Sequence, residues 1–119
     1  MPSIRDLVAA IRQREGVDAA VVLGRDGLLI DGQLTEGLDA DDIAARIPAI
    51  LSAADELGIA AYRGELLTAV LEHRQGLAIV SVLTLDAVLL VLMSAAHGAA
   101  VGQLLLEIRR NRERIAALV

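Results

Sequence analysis

The stretch LAIVSVLTLDAVLLVLMSAA, residues 77 to 96, leaves this chain the fewest choices. It is long enough to cross a bilayer as a helix, yet it carries a charge, Asp86, close to its middle. In hydrocarbon an ionised carboxylate at that depth is costly. Folded in water, the same residues divide at Thr84-Leu85-Asp86 into two runs rich in Val, Ile and Leu, with Gly76 and Gly98 as flanking turn residues. The reading is therefore two buried β-strands and no membrane span. Strands this apolar belong at the centre of a sheet, covered on both sides, or on one side and by a second chain.

A second pair of strands is announced by VVLGRDGLLI, residues 21 to 30. Glycine-rich loops can cradle phosphates, and a G-x-x-G loop can clamp a nucleic-acid backbone. Both devices need a helix beside the loop. Here DAAVVL (18–23) and GLLIDG (27–32) read as strands on either flank, so Gly24-Arg25-Asp26-Gly27 is a hairpin turn, with Gly27 free to take positive φ.

Helical segments fill the spaces between. Ser3-x-x-Asp6 resembles a capping box after Pro2, and Ile4, Leu7, Val8 and Ile11 recur at helical spacing, predicting a helix over 4–14 ended by Gly16. Residues 33–38 read as a loop. Asp39 is the predicted N-cap of a second helix over 39–57, with Asp41 and Asp42 favourably placed in its first turn. Ile43, Ile47, Ile50, Leu51, Ala54 and Leu57 form one face of it, and Ala44, Ala45, Ala49 and Ala53 a smoother apolar flank. Pro48 falls inside and predicts a kink; Gly58 is the expected stop. Two apolar flanks exceed what one sheet covers, which points to a second copy of the chain. A third strand is expected over 65–72, a tight turn at 73–76, a fourth strand over 77–83, a fifth over 87–94, and a last helix from Gly98 to the C-terminus. In that helix Val101, Leu104, Leu105, Ile108, Ile115 and Leu118 face inward and the arginines face water. The result is a single α+β domain over 1–119, in the order α-β-β-α-β-β-β-α, with the helices expected on one face of a five-stranded antiparallel sheet.

Composition narrows function. The chain has 119 residues, no cysteine, two histidines (His73 and His97) and Tyr62 as its only aromatic residue. Thiol chemistry and a thiolate metal site are excluded. The histidines lack ligand-like neighbours, so neither a metal nor a cofactor is expected. A net charge of -5 and the near absence of stacking groups disfavour nucleic acid. Acids crowd residues 31–65 beside no nucleophile or histidine in an apolar cleft, which argues against an enzyme. A small-ligand sensor is the competing class, but the expected interior offers few polar groups beyond Thr68, Ser81 and Thr84. Arginines gather at 109, 110, 112 and 114, so the two ends of the charge distribution could each match a partner.

The hairpin AAVVLGRDGLLI, the alanine-rich helix DADDIAARIPAILSAADELG, the turn-linked strands around LEHRQGLAIVSVL, and DAVLLVLMS followed by Gly98 together resemble the roadblock family, whose members include dynein-associated light chains and bacterial regulators of Ras-like GTPases. The resemblance implies a profilin-like fold and a cytoplasmic, non-enzymatic module that forms homodimers, with second helices packed antiparallel and third strands joined edge to edge. Carried to this chain, Ile47, Leu51, Ala54, Leu67 and Ala69 would be dimer positions. The implied partner is a small Ras-like GTPase, with Asp42, Arg46 and Arg63 as contacts. Because the chain shows no long terminal extension like those of gliding-motility regulators, the resemblance implies GTPase binding more than activation. The alternatives are a small-ligand sensor or a self-assembling scaffold with no GTPase partner.

Overall fold

The computed structural model describes residues 2–94 and 98–119, so His97 lies outside the described residues. The first helix, α1 (Ile4–Arg12), opens with the expected reciprocal cap: the Ser3 hydroxyl accepts from the Asp6 amide and the Asp6 carboxylate from the Ser3 amide. Strands β1 (Val17–Gly24) and β2 (Leu29–Leu34) form the predicted hairpin. Gly27 takes φ +90, and its amide donates to the Gly24 carbonyl at 2.9 Å. The helix α2 (Ala40–Ala60) is capped by Asp39, whose carboxylate accepts from the Asp42 amide at 3.2 Å. It runs through Pro48 and passes Gly58 by two residues. Strands β3 (Thr68–His73), β4 (Gly76–Val82) and β5 (Ala87–Met93) follow, then α3 (Gly98–Arg110) and α4 (Arg112–Ala116).

All five strands are antiparallel to their neighbours in the order β2-β1-β5-β4-β3. The apolar stretch 77–96 supplies β4 and β5, and β5 is the central strand. No helix among the described residues is long and apolar enough to cross a membrane.

The helices do not share one face. Val8 and Ile11 of α1 pack with Leu104, Ile108 and Ile115 of the last two helices on one side of the sheet, over Ala20, Val22, Ile79, Leu89 and Val91. Ala44, Ile47 and Leu51 of α2 pack on the other, over Val21, Leu23, Val80, Val88 and Leu90. The physical reason is visible in the strands, since consecutive residues of β1, β4 and β5 point to opposite faces and nearly all are apolar. Helices on one side would leave half of those side chains in water.

Two further expectations shift. The last helix is broken at Asn111, which leaves helical geometry (φ -109, ψ 12) and turns its side-chain amide back to the Glu107 carbonyl at 2.8 Å. The strand predicted to start at residue 65 starts at Thr68, because the Leu66 amide donates to the Asp55 carboxylate at 2.8 Å instead of joining the ladder. At the sheet's opposite margin, the outward-facing Gly32 amide of β2 is taken by the neighbouring Asp31 carboxylate at 2.8 Å.

Candidate protein-binding surface

The C-terminal half of α2 and the edge strand β3 enclose an open groove of about 850 Å³. Ala54, Leu57, Leu66, Leu67 and Ala69 give it an apolar lining, and Arg63, Arg109 and Arg112 stand around it. Leu57 is 70% exposed, Leu67 63% and Tyr62 93%. Large apolar side chains left open together, next to a sheet edge, mark an interaction surface more often than a finished exterior.

The local chain path that creates this surface is tightly specified. After α2, the Arg63 amide reaches back to the Gly58 carbonyl at 2.7 Å and the Tyr62 amide to the Ile59 carbonyl at 3.1 Å, the pattern of a Schellman C-cap. The left-handed position of that cap is usually glycine, but here Tyr62 holds it at φ +56. A bulky side chain in that conformation is strained, and this one makes no use of burial in return. The chain then folds back against α2 and is pinned by Asp55, whose carboxylate accepts from the Leu66 amide and also pairs with Arg25 of the β1–β2 turn. The Arg25 amide in turn donates to the Asp86 carbonyl at 2.9 Å, so Arg25 ties the β1–β2 and β4–β5 turns to α2.

Of the expected dimer positions, Ala54, Leu67 and Ala69 line this groove. Ile47 and Leu51 do not. They are 4% and 1% exposed in the single chain and belong to its own core beneath α2. The flank of α2 that stays open is the alanine side, Ala45, Ala49 and Ala53. Asp42 and Arg46 form an ion pair with each other at 2.9 Å, one turn apart and well exposed. Arg46 lies fourteen residues before the end of α2 at Ala60, about 21 Å at 1.5 Å per residue, and Arg63 lies just past that end, its amide turned back to the Gly58 carbonyl. The three expected partner contacts therefore sit at two ends of α2.

Arg112 was expected to face water with the other terminal arginines, and it does not. It is half-buried, and its guanidinium donates to the Val82 carbonyl at 2.5 Å, to Thr68 Oγ1 at 2.9 Å and to the Leu67 carbonyl at 3.4 Å. Every one of these acceptors is neutral. Nothing in the spacing of the C-terminal arginines separates it from its neighbours; only the fold, by laying α4 beside the start of β3, makes it distinct.

Among the described residues no three histidine, aspartate or glutamate side chains converge as a metal site. An antiparallel sheet with helices on both faces and an open apolar groove at one edge suits a protein-binding module. Residues 4–101 match the Roadblock/LC7 domain, and the chain belongs to that family of non-catalytic regulatory domains. It is similar to a Roadblock/LC7 domain from Streptomyces avermitilis at 26% identity and a TM-score of 0.74, over 92% of this chain and 97% of that one. Myxococcus xanthus MglB superposes with a TM-score of 0.82 at 14% identity, over 98% and 97% of the two chains. An MglB structure with a tetrameric arrangement gives 0.82 at 14% identity, over 96% and 85%. At 14% identity these likenesses speak for the shared fold. No curated protein sequence matches the chain.

Proposed function

We propose that the chain works in the cytoplasm as a homodimer that binds a small Ras-like GTPase and regulates or scaffolds it. The observation that carries the dimer is the open surface itself: a bare β3 edge beside Leu57 and Leu67, with the alanine flank of α2 next to it. Ala54, Leu67 and Ala69 are its interface positions, joined by Leu57. A symmetric pair built on this surface would cover the edge and the apolar groove of both copies at once. The GTPase rests on the resemblance to roadblock-family regulators. The acidic first turn of α2 with Asp42 and Arg46, and the far end with Arg63, are the proposed contacts, since charge on exposed positions steers and orients an encounter.

Light scattering at micromolar concentration tests the first part, and about twice the chain mass of 12.5 kDa is expected. Affinity capture with the purified protein from lysate of its own cells, with GDP or a non-hydrolysable GTP analogue present, tests the second. A Ras-like GTPase retained in one nucleotide state, followed by a hydrolysis assay on it, separates a regulator from an adaptor. If none is retained in either state, the self-assembling scaffold replaces this reading.

A further inference from the structure

Which backbone groups of β3 are free follows from its pairing with β4. The Leu67 carbonyl accepts from the Val82 amide at 2.8 Å, and the register continues with Ala69 opposite Val80, Leu71 opposite Ala78 and His73 opposite Gly76. Hydrogen-bonded and non-bonded pairs alternate in an antiparallel ladder. Residues 67, 69, 71 and 73 therefore spend their backbone groups on β4, and Thr68, Val70 and Glu72 aim theirs outward. The row is closed at one end by Asp55, which holds the Leu66 amide, and at the other by the turn into Gly76.

A row of three outward residues spaced by two is self-complementary about its centre. A second copy's β3, running antiparallel, satisfies all three only when Val70 faces Val70 and Thr68 faces Glu72. Sliding it by two residues leaves one outward residue of each copy unmatched. The side chains agree with the centred register. On the α2 face it sets Ala69 against Leu71. On the opposite face it sets Val70, 45% exposed in the single chain, against itself.

It also resolves two loose charges. Arg112 has neutral acceptors only, and among the described residues neither it nor Glu72 has an ion-pair partner. Glu72 shares its face of β3 with Thr68, the residue whose hydroxyl Arg112 holds. Opposite residues in a hydrogen-bonded pair lie about 5.5 Å apart at Cα. The centred register thus sets Glu72 of one copy beside the Thr68–Arg112 contact of the other, twice per dimer.

We propose that β3 strands of two copies pair antiparallel about Val70 and that Glu72 of each copy closes onto Arg112 of the other. This rests on the dimer reading above and adds to it the register and the ion pairs. Because the chain has no cysteine, introduced thiols report the register cleanly. Val70→Cys should give a disulfide-linked dimer on mild oxidation, the Cα separation being within disulfide range. Thr68→Cys and Glu72→Cys should link poorly alone and efficiently when mixed. Glu72→Arg should raise the dimer dissociation constant about ten-fold or more, and so should Arg112→Glu, whereas an equimolar mixture of the two should recover dimers, because each interface then pairs opposite charges. Arg112 also ties α4 to β4, so the fold of its variant is checked by circular dichroism; Val70 and Glu72 are exposed, and their variants carry the test alone if it fails to fold. A wild-type dimer in which Val70→Cys does not link, or Glu72→Arg binds as tightly as wild type, overturns the proposal and leaves the dimer standing. A wild-type monomer at every concentration overturns both.

Discussion

Gly58 and Gly64 lie so close that a β-carbon on Gly58 would fall 1.9 Å from the Gly64 carbonyl oxygen. The obstacle is backbone, which cannot swing aside like the end of a flexible side chain. Gly58 thus serves contact with the returning chain, which explains why α2 runs past it. Gly58→Ala should force the 61–67 segment off α2. A loss of about 1–3 kcal/mol in urea unfolding is expected, together with weaker self-association in light scattering.

Asp55 should be sensitive to which of its two jobs is removed. Asp55→Asn keeps an oxygen for the Leu66 amide and loses the charge that faces Arg25. Asp55→Ala loses both and leaves a part-buried donor without a partner, a cost of about 1–3 kcal/mol. The alanine variant should therefore be clearly the less stable in denaturant titrations. Equal stability would mean that the Leu66 contact contributes little.

Leu51 is buried under α2 whereas Leu57, about 120° round the same helix, is 70% exposed, and the two should fail in different ways. Leu51→Ala opens a cavity under α2 and should cost about 2–5 kcal/mol, with the association of the remaining folded protein unchanged. Leu57→Asp should leave unfolding within about 0.5 kcal/mol of wild type but abolish the dimer at micromolar concentration. Sedimentation velocity alongside thermal unfolding reads both.

Tyr62 offers a test of whether strain is held for function. Tyr62→Gly relieves the left-handed backbone at some cost in chain entropy, so a net gain of about 0.5–1 kcal/mol is expected. If the exposed ring is a contact residue, the same variant should bind its partner more weakly in a pull-down. A variant more stable and equally competent would make the tyrosine incidental.

Much of this architecture is legible in the sequence because its signals are local. The split of residues 77–96 at Thr84-Leu85-Asp86, the Gly24–Gly27 turn and the caps at Ser3 and Asp39 each depend on neighbours within a few positions. The faces of the sheet are another matter. Strands apolar on every residue fit cover on either side, and α2 has two apolar flanks, so nothing local decides that Ile47 and Leu51 go under it and Ala49 and Ala53 stay out. Arg112 is harder still. Its role depends on Thr68 and Val82, 44 and 30 residues away in the chain, and its neighbours Arg109, Arg110 and Arg114 carry the same chemistry in the same helical stretch.

The two margins of the sheet are unlike each other. Along β3 the outward amides stand bare, whereas along β2 the Gly32 amide is already masked by the Asp31 carboxylate. An incoming strand at β2 would have to displace that bond and meet a negative charge. Joining β3 to β3 yields one sheet of ten strands, with a β2 at each extremity. A pair joined in this way would have used up both of its bare edges, and at each end that remains the Gly32 amide is already held by the Asp31 carboxylate.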